Sequence, residues 1–168
     1  AIVGSGPSGL SAGARAAQKK INHILLETSD HASDTIYKFQ KKKFVMSTPD
    51  VMLLRSDVSF GAGVREDILE TWDQEIDQQN INISYKSEVT AITGEKGNFT
   101  LTIKDGRTVT ANHVVLSIGM QGNLRKLDVA GDDWEGVQYQ LDDPEEYEDE
   151  RIIVVGAGDA AIENAVAL

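Results

Sequence analysis

One pattern occurs twice in this chain. Ala1–Lys20, AIVGSGPSGLSAGARAAQKK, and Arg151–Leu168, RIIVVGAGDAAIENAVAL, each pass from an apolar β-type run through Gly-x-Gly-x-x-Gly/Ala into a small-residue helical pattern. A chain with 15 glycines can produce one such loop by accident, but two in the same strand–loop–helix context constrain the fold far more strongly. Each copy predicts a strand, a tight turn and a helix whose N-terminus faces phosphate. Two copies predict two dinucleotides on one polypeptide, and therefore electron transfer between cofactors.

In the first copy, Gly4 permits the turn out of the strand and Gly6 lets the backbone approach a pyrophosphate. Gly9 lets the helix pack closely on the strand. Pro7 suits the first helical turn, where its missing N–H is not needed. Amide hydrogen bonds to a charged phosphate, at roughly 1.5–3 kcal/mol each, outweigh the helix dipole, at about 0.3–1 kcal/mol and up to ~2 when partly buried. A second strand, His23–Glu27, ends 21 positions beyond Gly6, where an acidic residue meets a ribose diol. A carboxylate there accepts from a 2′-hydroxyl and repels a 2′-phosphate, which favours FAD or NAD over NADP at the first site. Taken alone, Glu27 could equally be a solvated residue at a strand end.

Gly156, Gly158 and Ala161 repeat the arrangement after an expected strand over Arg151–Val155. Alanine in the third position still allows close contact between helix and strand. Asp159 is placed to cap the helix that begins there. The residue that separates NAD from NADP at this second site belongs about 20 positions further on, past Leu168. The chain does not begin with methionine, and its last helix has neither a cap nor a following strand. The 168 residues are therefore expected to be part of a longer protein.

That length has room for one complete domain and the start of another. The hydrophobic fraction of 40% is ordinary for a soluble protein, and no apolar run approaches the ~18 residues of a membrane span. No secretory signal is visible. A net charge of −11 argues against nucleic acid and anionic membrane as main partners. Lys41–Lys43 is the one compact basic run; it reads as a solvated loop, or alternatively as a flavin- or phosphate-facing one. With no cysteine, disulfides, thiolate metal sites and a redox dithiol are excluded within this segment. His23, His31 and His113 lack metal-ligand spacing, and His23 and His113 fall at strand entries with structural roles. No Gly-x-Ser-x-Gly elbow is present on a strand-to-helix turn, so hydrolase chemistry is unsupported.

Between the loops, residues 28–63 read as irregular, with Pro49 and the Phe60–Gly63 stretch as loop. Arg65–Asn80 reads as a helix with Ile68, Leu69, Trp72 and Ile76 on one face, Trp72 being a core anchor and not a cofactor-stacking residue. Ile81–Tyr85 and Glu88–Thr93 read as strands. Asn98–Lys104 and Thr108–Thr110 read as a hairpin, closed by Asp105-Gly106 in a type I′ turn. Val114–Ser117 reads as a buried strand ending at Gly119. Residues 142–150 contain seven acidic side chains in nine positions, which predicts a solvated linker or exposed turn; the alternative is a docking surface for a basic electron carrier. The order predicts an α/β fold: a doubly wound parallel Rossmann-type sheet with a small antiparallel β-meander insertion, followed by the start of a second Rossmann-type domain.

GSGPSG, the strand ending in Glu27, Ala111–Gly119 and VVGAGDAAIE together resemble the two-dinucleotide-binding-domain flavoproteins, the thioredoxin reductase-like branch of the pyridine nucleotide-disulfide oxidoreductase superfamily. That group includes ferredoxin–NADP reductases of the thioredoxin reductase type and bacillithiol-disulfide-reductase-like proteins. Leu127–Gly131 through Gly136-Val137 resembles the family's crossover between its two domains. The resemblance implies an FAD-binding domain over 1–130, without its returning C-terminal segment. An acidic crossover over 131–150 and the start of an NAD(P)-binding domain over 151–168 would follow. It implies FAD pyrophosphate at Gly4, Ser5, Gly6, Pro7, Ser8 and Gly9, with Glu27 on the adenosine ribose and the Val89 backbone at the adenine. Ser117, Ile118 and Gly119 match a turn beside the pyrophosphate, with Ile118 where the family has threonine. Gly156, Gly158, Asp159, Ala160 and Ala161 match the NAD(P)H loop.

The departure from the pattern is that Gln138–Asp142 stands where thioredoxin reductases carry Cys-x-x-Cys. The resemblance then implies a dithiol-free, cytoplasmic FAD-dependent NAD(P)H oxidoreductase, compatible with a homodimer. Its acceptor is unidentified: ferredoxin, a small disulfide or a fused redox domain. No side chain here needs to act as acid or base, so no catalytic residue is assigned. Two other readings stand beside this one. A flavin monooxygenase shares both loops, but Phe60-Gly61-Ala62-Gly63-Val64 lacks that group's histidine; a noncatalytic dinucleotide-binding module would use the cofactor only to shape a partner surface.

Overall fold

The computed structural model describes residues 1–47, 55–120 and 125–168; Pro49 lies outside them. Strand β1 (Ile2–Val3) leads into helix α1 (Pro7–Gln18) and strand β2 (Leu25–Leu26). Pro7 at the start of α1 and Leu10 and Ala14 on its buried face give the helix its beginning and its packing stripe. It ends where Lys20 turns left-handed at φ +55° and the Ile21 amide reaches back to the Ala16 carbonyl at 2.9 Å, a Schellman closure.

A short helix, α2 (Asp34–Tyr37), and an antiparallel pair, β3 (Phe44–Val45) with β4 (Gly63–Val64), follow. The sequence reading had this stretch as irregular. Elements of two to four residues carry no measurable period, and the pairing of Phe44 with Val64 depends on chain that is remote in sequence. Helix α3 (Arg65–Gln78) buries Ile68, Trp72 and Ile76, as its spacing predicts. It stops two residues early because Asn80 adopts φ +56° and the Ile81 amide bonds the Ile76 carbonyl at 3.0 Å.

Strand β5 (Ile83–Ser84) is followed by a three-stranded meander of β6 (Val89–Glu95), β7 (Asn98–Ile103) and β8 (Thr108–Ala111). The β7–β8 connection is not type I′, since Gly106 alone among its residues has positive φ (+94°). The Gly106 amide bonds the Ile103 carbonyl and the Ile103 amide bonds the Arg107 carbonyl, both at 2.9 Å. This is a three-residue loop with a glycine bulge. Asp105 is thereby spared a left-handed conformation, and its carboxylate accepts from the Arg107 amide at 3.0 Å and Nε at 2.7 Å.

Strand β9 (Val115–Leu116) completes a four-stranded parallel sheet in the order β5-β2-β1-β9. Ile2 aligns with Leu25 and Val115, and Val3 with Leu26 and Leu116. Side chains alternate across a strand, so Ile2 and Leu25 join Leu10, Ala14, Ile68, Trp72 and Ile76 on the helical side. Val3 and Leu26 pack with Leu101 and Ile103 of the meander on the other. The sheet is covered on both faces, as parallel sheets require. The architecture is thus the α/β Rossmann-type fold with an antiparallel β insertion.

Two strand expectations are corrected. Val115 and Leu116 are 44% and 62% exposed and so not buried; β9 is the sheet's edge, and no described residue pairs with its outer side. Arg151–Val155 forms no strand, and Ile153 is 88% exposed. An apolar run becomes a strand only when a neighbour accepts its backbone hydrogen bonds, and none of the described residues does so. A 3₁₀ turn at Pro144–Tyr147 precedes this run, and helix α4 (Asp159–Ala167) follows it. Among the described residues no helix is long and apolar enough to cross a membrane.

Trp72 anchors the helical side: its indole N–H donates to the Ser59 carbonyl at 2.7 Å, and Phe60 meets its ring edge-on at 5.6 Å. Trp72→Phe keeps an aromatic ring there but removes the N–H and one ring of contacts. Denaturant unfolding is expected to register a loss of about 1–3 kcal/mol.

Candidate functional site

Strand β1 has β2 and its helical crossover on one side and β9 on the other. Chain order reverses there, and in open α/β sheets ligands bind just beyond the carboxyl ends of strands at such a switch point. The first glycine loop occupies that place. Gly4 turns at φ +95°, and a Cβ on it would lie 2.5 Å from the Ser117 carbonyl oxygen. A Cβ on Gly9 would lie 1.9 Å from the Gly4 carbonyl oxygen. Gly6 differs: among the described residues, its chain neighbours aside, nothing lies within 4 Å of where its Cβ would be. Gly4 and Gly9 are therefore glycine for internal packing, whereas Gly6 faces open space. That combination is a cradle which a side chain would fill.

Backbone donors line it. The Gly4 amide is engaged by the Leu26 carbonyl, and the Ser5 amide by Glu27. The amides of Gly6, Ser8 and Gly9 have no partner among the described residues, while Pro7 has no N–H to offer. Ser8 is exposed, Gly6 is half-buried and Gly9 is buried, so the Gly6 and Ser8 donors sit where an incoming anion would meet them. The arrangement fits a dinucleotide pyrophosphate.

Glu27 stands just past β2 and is only 7% exposed. Its Oε2 accepts from the Ser5 amide at 2.8 Å and the Ser5 hydroxyl at 2.5 Å, and its Oε1 accepts from the Ser29 amide at 2.9 Å. It is neither a solvated strand end nor an idle carboxylate. The Ser87 amide donates to the Glu27 carbonyl at 2.7 Å, which brings the chain leading into Val89 alongside. Ser117, tied to the Val3 carbonyl at 2.8 Å, lies against Gly4 and Gly9, and Gly119 follows at φ +64° with no described residue within 4 Å of its would-be Cβ. The structure thus gathers Gly4–Gly9, Glu27, Ser117 and Gly119 at one end of the sheet, with Val89 beginning the neighbouring meander.

At the second loop, Gly156 turns at φ +133° against Ala161, 3.3 Å from its would-be Cβ, and Gly158 faces open space. Gly158 itself is the N-cap of α4, so Asp159 is the first helical residue and caps nothing with its side chain. Gly158 fits that position because the extended backbone there (φ −85°, ψ 174°) already orients its carbonyl for the Ala161 and Ile162 amides. The Asp159 and Ala160 amides have no partner among the described residues.

The basic run is exposed at Lys41 and Lys42, as a solvated loop would be, and its ammonium groups are paired with carboxylates. Lys41 pairs with Asp143, Lys42 with Glu145 at 2.6 Å, and Lys43 with Glu163 of α4 at 2.6 Å. The Lys41 amide also donates to the Asp142 carbonyl at 2.9 Å. Asp143 raises the Lys41 ammonium above the ordinary lysine range, and Lys41 holds Asp143 below the ordinary carboxylate range. The acidic run 142–150 is therefore tied down at its first residues, where Asp143 and Glu145 pair with Lys41 and Lys42. Exposed pairs of this kind add little to stability because solvent screens them. A cavity of ≈ 360 Å³ lies beside this contact, between α2 and the crossover. Its lining includes no residue of either glycine loop, and its cations Lys38, Lys41 and Arg65 already have carboxylate partners.

Sequence reasoning missed Ser29, Ser33 and Ser87 around Glu27. A serine-rich stretch after a strand carries no periodic signal, and their roles depend on contacts formed across 28 positions, as between Ser33 and Ser5.

The family model described as pyridine nucleotide-disulphide oxidoreductase matches residues 1–168. A ferredoxin–NADP reductase of Ignicoccus hospitalis is 24% identical over 167 residues, covering 99% of this chain and 51% of the relative. Bacillithiol disulfide reductases of Staphylococcus aureus and Bacillus cereus superpose with TM-scores of 0.84 and 0.80 at 21% and 20% identity. Each alignment covers 99% of this chain, with 52% and 53% of the respective structure. At that identity the superposition speaks to fold alone. The chain spans about half the length of the curated relatives it matches.

Proposed function

Because the chain belongs to the pyridine nucleotide-disulphide oxidoreductase family, we propose that it is a segment of an FAD-dependent NAD(P)H oxidoreductase. Its chemistry is transfer of reducing equivalents from a nicotinamide to a non-dithiol acceptor. The observation that carries this reading is the first glycine loop: an open hollow at Gly6, free amides at Gly6, Ser8 and Gly9, and a fixed carboxylate at Glu27. FAD supplies a ring system that accepts hydride and releases electrons to a second partner.

The residues of this chain bind and orient. Gly4 and Gly9 bring α1 hard against β1, and Gly6, Ser8 and Gly9 offer N–H donors to the pyrophosphate. Pro7 starts the helix without adding a donor, and Ser5 supports Glu27 from behind. Glu27 accepts from the adenosine ribose, the backbone at Val89 borders the adenine, and Ser117 and Gly119 close the flank of the hollow. Gly156, Gly158, Asp159, Ala160 and Ala161 form the nicotinamide-dinucleotide loop. The division that follows is an FAD-binding part over 1–130, a crossover over 131–150 and the opening of an NAD(P)-binding part over 151–168. Two names among the relatives, ferredoxin–NADP reductase and bacillithiol disulfide reductase, define the acceptor classes to try first. Since the chain holds no cysteine, electrons leave by a route without a thiol pair in these residues.

The test is anaerobic titration of the natural full-length protein, loaded with FAD, with NADH and separately with NADPH. Bleaching of the flavin absorbance by one of them is expected, followed by recovery on adding ferredoxin or a low-molecular-weight disulfide. Nicotinamide binding without bleaching would instead identify a noncatalytic dinucleotide module.

A further inference from the structure

Nothing in the glycine spacing calls for a particular residue between Gly4 and Gly6, yet Ser5 is fully buried with every polar atom engaged. Its amide and hydroxyl both donate to Glu27 Oε2, at 2.8 and 2.5 Å. Its hydroxyl oxygen accepts from the Ser33 amide at 3.2 Å, and its carbonyl accepts from the Ser33 hydroxyl at 3.3 Å. Ser33 is itself 1% exposed and held left-handed at φ +58°, a conformation that non-glycine residues keep only where their surroundings impose it. Its side chain is turned to Ser5 and does not cap α2, the helix it precedes.

A carboxylate offers about four acceptor sites. Both lone pairs of Oε2 are taken by Ser5, and one of Oε1 is taken by the Ser29 amide at 2.9 Å. One acceptor site remains, on Oε1. We propose that Ser5, backed by Ser33, is a positioning residue that locks Glu27 so that it accepts from one hydroxyl of the adenosine ribose through Oε1. Two hydroxyls, one on each oxygen, would require Glu27 to give up a bond to buried Ser5, and two on Oε1 would displace the Ser29 amide. Ser5 therefore acts on the adenosine half of the ligand through Glu27, and not on the pyrophosphate that the neighbouring Gly6 faces. The inference rests on FAD occupying the first loop.

The experiment measures dissociation constants of the full-length apoprotein for FAD and for FAD analogues lacking either the 2′- or the 3′-hydroxyl of the adenosine ribose. The parent protein is expected to bind one deoxy analogue roughly ten- to hundredfold more weakly than FAD, the share of one hydrogen bond to a charged acceptor, and the other with little loss. Ser5→Ala is expected to flatten that preference while leaving the affinity for the penalised analogue nearly unchanged. Ser33→Ala, outside the cradle, serves as the second variant and is expected to flatten it partly. Equal penalties for both analogues in the parent protein would overturn the single-hydroxyl geometry. A uniform loss by Ser5→Ala across all three ligands would reduce Ser5 to a structural role, and full discrimination in both variants would overturn the proposal outright. Failure of the parent protein to bind FAD at all would instead remove the reading on which the inference rests.

Discussion

Gly6→Val should abolish tight FAD binding and leave the fold standing, whereas Gly9→Ala should damage the fold itself. Gly6 has φ −66° and ψ −178°, a backbone any residue adopts, and no described residue other than its chain neighbours lies within 4 Å of its would-be Cβ. A side chain there meets only what enters the hollow. If it holds a pyrophosphate away from about two of the free amides, the loss is ~3–6 kcal/mol, or roughly 10²–10⁴ in affinity. The apoprotein's unfolding free energy should stay within about 0.5 kcal/mol of the parent. At Gly9 the new methyl would lie 1.9 Å from a backbone oxygen and 3.0 Å from the Gly4 carbonyl carbon. Backbone cannot swing aside as a side chain does, so α1 must lift from β1 at an expected ~1–3 kcal/mol or more. Flavin fluorescence titration and denaturant unfolding, run on both variants, separate the two effects. Unchanged FAD affinity in Gly6→Val would place the ligand elsewhere on the protein.

Glu27→Ala is expected to lower both stability and affinity. The Ser5 amide, the Ser5 hydroxyl and the Ser29 amide would lose their shared acceptor. The Ser5 groups are fully buried, and each buried donor left unsatisfied costs about 1–3 kcal/mol. A loss of ~2–5 kcal/mol is a large part of the 5–15 kcal/mol that holds an ordinary domain together. Glu27→Gln keeps the volume but presents an N–H where one oxygen accepted, so an intermediate loss is expected. FAD binding should weaken at least about tenfold in either variant, through loss of the charged acceptor. Urea unfolding of the apoproteins measures the first effect and FAD titration the second. A Glu27→Ala protein as stable as its parent would show that the Ser5–Glu27 contact contributes nothing to the fold.

Much of the architecture was readable from local pattern. Helix α3 announced itself through Ile68, Trp72 and Ile76, all of which are buried. The β7–β8 hairpin followed from Asp105-Gly106, although Asp105 avoided the left-handed conformation that the two-residue turn required. Failures fell where an outcome depended on distant chain. The Arg151–Val155 run has strand composition but no described neighbour, and β9 has strand composition at an edge that nothing described covers. The ion pairs of Lys41–Lys43 went unseen because the carboxylate partners, Asp143, Glu145 and Glu163, lie more than a hundred positions away.

At the candidate site the same division holds. Gly4, Gly6 and Gly9 could be recognised in advance because a tight turn, an open approach and a close helix are local demands that only glycine meets at that spacing. Glu27 was visible by its distance from Gly6 alone. Which of these glycines packs inward and which faces a ligand depended on what surrounds them: Ser117 beside Gly4, Gly4 itself beside Gly9, and nothing beside Gly6. The bracing of Glu27 by Ser5 and Ser33 likewise required β1, β2 and the chain before α2 to converge. Backbone conformation is encoded by neighbours along the chain, so the two glycine loops were determined by sequence alone. Hydrogen bonds and ion pairs between remote segments exist only once packing brings their atoms within about 3 Å, and for that reason the tertiary structure decided how the site is held.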